Sequence, residues 1–326
     1  MGTVQESLWA NRQELGDRGV VLPRRRRDVA AAARSLVRWT PGGTPPDAWQ
    51  ELVANRESAG ASAVVVSHEG LARLDEKQVA GLAQTAGDLT VVITVADLER
   101  LLVAEWLSSL GRGRSWTLTE YATAVAGGDE QEEAASHFWR RHDHDALVSR
   151  WAAVASVTVV TVPPTTAPVD LLWSRFCQAA DLPGGLPAAS HSAELGLDRA
   201  SAEVLRRLNQ TDAVAGLSRD EYAHDVGARL ARRVLAQPSG RAPVAVPPEV
   251  SEWASTRSAA VVDALIGTGV EVVGSVDDLL MQPTTQGADA GPMPDDELLD
   301  AALDALAGYA AEHARHRAEA RDEGSR

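Results

Sequence analysis

LTVVITVADLERLLVAEWLSSL, residues 89–110, decides the fold class. Its first seven residues, Leu89 to Val95, are β-branched and apolar without alternation, the pattern of a strand buried on both faces. From Asp97 to Leu110 the apolar residues recur at helical spacing. A doubly buried strand that passes directly into a helix is the repeating unit of a parallel sheet with helices on both sides. Working outward, Ala63 to Val66 and Val157 to Val162 are strands of the same kind, and Val270 to Val273 is a shorter fourth. Between them Asp75 to Thr85, Glu130 to Ala155 and Val169 to Ala180 have helical periodicity, as does Val4 to Gly16 near the start. The expected class is α/β.

Past Ala180 the pattern changes. Residues 183–197 are rich in Gly, Pro, Ala and Ser and are expected to form a long surface loop, with His191 and Ser192 as residues able to touch a substrate. Helices resume at Arg199 to Asn209, Ser218 to Ala236 and Pro248 to Thr268, which makes the second half mainly helical. The expected organisation is one domain over 1–280, a Gly- and Pro-rich linker over 281–295, and over 296–326 a helix with a charged tail, frayed from Glu312 onward.

The chain has 326 residues, 44 % hydrophobic and 24 % charged, the balance of a globular protein. Its formal charge of −15 repels polyanions at long range and argues against nucleic acid as a partner. Apolar runs are far shorter than the roughly 20 residues of a spanning helix. With a single cysteine, Cys177, and no signal-peptide pattern, the expectation is a cytoplasmic protein without disulfides.

Ser67, His68 and Glu69 close the strand that begins at Ala63, where ligands gather in open parallel sheets. Glu69 or His68 is therefore the candidate base for deprotonating an acceptor. His142, Asp143, His144 and Asp145 are potential metal ligands by type, but only His142 and Asp145 have the spacing of one helix face, and the cluster is read as solvated. Arg24 to Arg27 is read as a basic loop, Cys177 as a buried small hydrophobe, and the tryptophans as mainly core.

Several phrases, in order, resemble the actinobacterial branch of the sulfotransferase family: SLWANRQEL from Ser7, VVVSHEGLA from Val64, ITVADLER from Ile93, FWRRHD from Phe138, VTVVTVPP from Val157 and LLWSRF from Leu171. ELGLDRASAEVLRRLN from Glu194 and VVDALIGTGVEVVGSVDDL from Val261 extend the similarity to about Leu280. The resemblance implies a P-loop-like sheet and transfer of a sulfuryl group from 3′-phosphoadenosine 5′-phosphosulfate to a hydroxyl or amine, with no covalent cofactor and no metal.

It also implies that Gly2 and Thr3 are the tail of the donor-binding loop, and that the strand and lysine before them are missing. Ser67 and Arg100 would help hold the donor. Ala96 and Ala104 stand where relatives carry the arginine and serine that contact its 3′-phosphate; Arg206 or Arg207 would have to substitute. A charge-assisted contact of that kind contributes about 1.5–3 kcal/mol, so a weak or inactive enzyme is expected, or alternatively a non-catalytic module that binds a protein or ligand. Loss of a central strand would leave its neighbours with unpaired apolar edges.

Overall fold

The computed structural model describes residues 2–58, 60–129, 131–189, 195–237, 240–280 and 293–323. In chain order the elements begin α1 (Gly2–Ala10), α2 (Arg12–Asp17), β1 (Val20–Val21), α3 (Arg26–Arg38), α4 (Asp47–Ser58) and β2 (Ala63–Val64). A 3₁₀ turn over Glu69–Arg73 leads to α5 (Glu76–Ala86), β3 (Thr90–Val95), α6 (Leu98–Leu110), α7 (Leu118–Gly127), α8 (Glu133–His142), α9 (His144–Ala152) and β4 (Ser156–Thr161). Then follow α10 (Leu171–Ala179), α11 (Arg199–Leu208), α12 (Asp212–Ala215), α13 (Arg219–Glu221) and a π-helical segment, Tyr222–Leu235. Last come α14 (Pro248–Thr268), β5 (Glu271–Val273) and α15 (Asp295–Glu323).

The fold is α/β, with small parallel sheets flanked by helices. The chain divides into two compact units: Met1–Leu98, Gly128–Ala193 and Ser255–Gln282 form the first, and Glu99–Gly127, Glu194–Ala254 and Pro283–Arg326 the second.

The five strands among the described residues all belong to the first unit. β1 pairs with β2, and β3, β4 and β5 form a second sheet in that order, every pair parallel. β4 is central and its residues from Val157 to Thr161 are all buried, the burial expected of a strand covered on both faces. One core contains Val91, Ile93, Val95, Val157 and Val159 with α3, α4, α5, α9 and α14 side chains. The opposite core contains Val92, Val160 and Val162 with Val4 and Leu8 of α1, Leu15 of α2, and Trp173 and Phe176 of α10. The alternation of residues between these cores is the period-two geometry of a strand.

A buried polar network fixes β5 to β4. Thr161 Oγ1 donates to Asp278 Oδ2 at 2.7 Å, and Arg175 Nη1 reaches the same oxygen at 2.6 Å. Gly274 makes this approach possible: at φ +117 it holds a conformation L side chains avoid, and a Cβ there would lie 2.0 Å from Thr161 Oγ1.

Several expectations are corrected. Arg24 to Arg27 is not a loop throughout, because α3 begins at Arg26 and buries Val29, Ala32, Ala33 and Leu36 on one face. Glu130 to Ala155 is interrupted at Asp143, which caps α9 through a hydrogen bond from Ala146 N. His142 and His144, read as solvated, are only 2 % and 3 % exposed. They straddle that break, so both rings turn inward where one continuous helix would have separated them. Glu312 is also buried, ion-paired to Arg233 and Arg315, and α15 continues to Glu323 instead of fraying there.

In the second unit Asn209 donates from Nδ2 to the carbonyls of Leu110 and Arg114. The Tyr222 hydroxyl lies 2.8 Å from Asn209 Oδ1, and burial pushes its pKa up to about 12. These contacts tie α6, α11 and the π-helical segment together. Among the described residues, no helix is long and apolar enough to cross a membrane.

Candidate functional site

The strand ends of the first unit carry most of the predicted site. Val65 to His68 follow β2, His68 being extended with φ −160 and ψ 133, and the chain then tightens into the 3₁₀ turn. His68 Nδ1 accepts a hydrogen bond from Gly70 N at 2.8 Å. Gly70 is needed for that approach, since a Cβ there would sit 2.9 Å from Nδ1. With Nδ1 accepting, the neutral ring carries its proton on Nε2. The ring's donor is therefore Nε2; removing a proton from an acceptor through that nitrogen would require the other tautomer and the loss of the Gly70 bond.

Glu69 is the better placed base. Its side chain is 49 % exposed, and its Oε2 lies 3.5 Å from Gln5 Nε2. That contact brings the first turn of α1, with Gly2 and Thr3, to the end of β2. Thr3 is used structurally through its carbonyl, which accepts from Ser7 Oγ at 2.8 Å. Ser7 Oγ in turn accepts from Ala189 N, and Asn11 donates to the Pro187 carbonyl, so α1 is fastened to the start of the long loop. Ser67 is half-buried.

One turn along α1, Glu6 forms a two-pronged ion pair with Arg26, whose guanidinium also lies over the Trp9 ring 5.5 Å from its centroid. The pairing holds the Glu6 carboxyl below its usual pKa. Gln5 and the Glu6–Arg26 pair were not singled out from sequence. The spacing of Val29, Ala32, Ala33 and Leu36 would have revealed α3 and hence the position of Arg26; Gln5 carries no local signal.

Ala96 follows β3 and packs among apolar side chains of the core that holds Val4, Leu8 and Val162. Arg100 and Ala104 lie on the part of α6 that belongs to the second unit. Arg206 and Arg207 lie on α11 of the same unit, both held by Glu203, with Arg206 Nε 2.7 Å from Glu203 Oε2 and Arg207 Nε 2.7 Å from Oε1. His191 and Ser192 lie outside the described residues.

Cys177 is buried on α10, and desolvation pushes its thiol up to about 11, the opposite of what a nucleophile requires. Among the described residues, no group of three or more His, Cys, Asp or Glu side chains is arranged to hold a metal ion. The site is thus one half-exposed carboxylate, one imidazole donor and the first turn of a helix, all at the ends of parallel strands. No family model, no curated protein and no solved structure matches this chain.

Proposed function

We propose that this chain is a degenerate sulfotransferase-family protein, P-loop-like in fold, whose transfer of a sulfuryl group from 3′-phosphoadenosine 5′-phosphosulfate to a hydroxyl or amine is weak or lost. The observation that supports this most is Ala96. The ordered phrases of the sequence imply a 3′-phosphate arginine there, and the residue present is a methyl group packed in an apolar core. Of the substitutes considered from sequence, Arg206 is in a two-point pair with Glu203 that it has to give up to bind phosphate, and Arg207 makes one further bond to the same carboxylate. The Glu69 carboxylate at the strand ends adds an unfavourable charge for an anionic nucleotide.

The test is calorimetric titration of adenosine 3′,5′-bisphosphate into the protein and into an Ala96→Arg/Ala104→Ser variant. The wild type is expected to give no saturable heat up to millimolar ligand. Micromolar binding by the wild type refutes the proposal. A gain of affinity in the variant supports the assignment of the two alanines.

A further inference from the structure

The longest helix, α15, is built the wrong way round for the surface of a monomer. A surface helix turns its large apolar side chains to the core and its polar ones to water. In α15 the face turned inward carries Ala301, Ala305 and Glu312, all buried, together with Gly308. These small residues let the helix lie close against the π-helical segment of the same unit. A Cβ at Gly308 would sit 2.6 Å from Val234 Cγ1, and Glu312 pairs with Arg233 at 2.7 Å. Leu299, Leu303 and Leu306 lie off that face and are 58 %, 54 % and 66 % exposed. No other element among the described residues exposes more than one large apolar side chain.

The leucines are also regularly spaced. With Ala310, which is exposed as well, they recur at intervals of four, three and four, the repeat with which a helix seats an apolar seam in a second helix. One further step of the same repeat reaches Asp296 at one end and His313 at the other. The seam between them is apolar throughout.

Charge along α15 identifies what covers the seam. From Asp295 to Asp304 the ionisable residues are Asp295, Asp296, Glu297, Asp300 and Asp304, all acidic; from His313 to Arg317 they are His313, Arg315, His316 and Arg317, all basic. A second copy laid parallel sets carboxylates beside carboxylates at one end and basic groups beside basic groups at the other. Laid antiparallel, it brings the acidic turns of each helix to the basic turns of the other, and the helix dipoles also oppose. The seam selects the register. Leu303 against Leu306 of the second copy, and Leu299 against its Ala310, cover all three leucines and place Asp296 beside His313 in the next layer. A shift of one heptad one way sets Leu299 against Arg317, and the other way Leu306 against Asp296, so both lose leucine contacts.

We propose that the exposed face of α15 is an interface with a second copy of this chain, the two helices pairing antiparallel about a two-fold axis between Asp304 and Ala305. Such a pairing uses the same patch on both copies and closes at two. The inference rests on α15 alone and is independent of any sulfuryl-transfer role.

The experiment is sedimentation equilibrium of the full chain at about 0.15 M salt, where long-range repulsion between two copies of formal charge −15 is screened. A reversible monomer–dimer equilibrium with a Kd on the order of micromolar is expected. Leu303→Glu puts a carboxylate into the seam and should weaken association by about 100-fold or more. Because that side chain is more than half exposed, the monomer should keep its helix content by circular dichroism. Ile266→Glu, at a 65 % exposed site on α14, is the control and should leave association unchanged. Orientation is read by disulfide formation under mild oxidation, against a background in which the native Cys177 is buried. Leu299→Cys mixed with Ala310→Cys should crosslink. Leu299→Cys alone should not, since antiparallel pairing separates its two copies by about 16 Å along the helix axis, beyond the reach of a disulfide. A chain that stays monomeric up to about 100 μM overturns the proposal, as does a dimer that Leu303→Glu leaves intact. Crosslinking of Leu299→Cys to its own copy would mean a parallel pair and equally overturn it.

Discussion

Replacing Asp278 with alanine should expose how strongly β5 is anchored. Asp278 Oδ2 accepts from Arg175 at 2.6 Å, Thr161 Oγ1 at 2.7 Å and Ser275 N at 3.2 Å, and the Arg175 and Asp278 side chains are 15 % and 12 % exposed. Truncation leaves the guanidinium, among the described residues, with the Thr161 carbonyl and hydroxyl as partners, at 2.9 and 3.1 Å. Losing three bonds to one carboxylate oxygen, with some solvent access for Arg175, costs about 3 kcal/mol, at the lower end for a broken buried pair. For a unit of this size that lowers the melting temperature by about 6–12 °C. Calorimetric melts of Asp278→Ala, Arg175→Met and the double variant measure it. The double variant should recover much of the loss, because no unpaired charge remains. A drop of less than 2 °C in Asp278→Ala, or a double variant as unstable as the single one, would refute the reasoning.

Three further outcomes are expected. Burial, helped by His142 and Arg257, lowers the His144 pKa from 6.5 to about 3; between those values the unfolded chain binds a proton that the folded chain does not, so stability falls with decreasing pH below about 6.5 at roughly 1.4 kcal/mol per unit for this group. Urea unfolding across pH 4–7 should show that slope reduced in His144→Phe. The Cys177 thiol, pushed up to about 11 and buried, should label with a thiol-disulfide reagent at pH 8 only as fast as the protein opens, and full-rate labelling of the native protein would contradict its placement on α10. Gly70→Ala should displace the His68 ring and abolish its preference for the Nε2-protonated tautomer, read from imidazole nitrogen shifts, with a stability loss of about 1 kcal/mol for the lost bond.

The strands were legible wherever β-branched residues ran continuously. Val157 to Val162 and Leu89 to Val95 match β4 and β3 to within a residue at each end. β1 was not, because two valines after a turn at Gly19 are too few to register as a pattern, and their pairing with Ala63 and Val64 is supplied by the fold. Arg24 to Arg27 hid the start of α3: charge dominates those four residues, while the apolar face that makes the helix begins only at Val29. His142 and His144 were misread because two residues i and i+2 on one helix face apart, and the break at Asp143 was not anticipated. At the site, the strand-end position of Ser67, His68 and Glu69 followed from the parallel-sheet pattern, but the bond that commits His68 Nδ1 depends on Gly70 and on three-dimensional turn geometry. Gln5 meets Glu69 across 64 residues of sequence, a distance over which local patterns carry no information.

The central position of β4 also has a temporal consequence. Its partner on one side, β3, precedes it, but Thr158 meets Glu271 only 113 residues later. At about 5–20 residues per second, a ribosome needs roughly 6–23 s to supply that stretch. Throughout this interval the nascent chain carries one open edge of the strand that ends up most buried, and Arg175 waits without Asp278. Slowing translation downstream of β4 lengthens the period in which a chaperone, or another nascent chain, can bind that edge before β5 arrives.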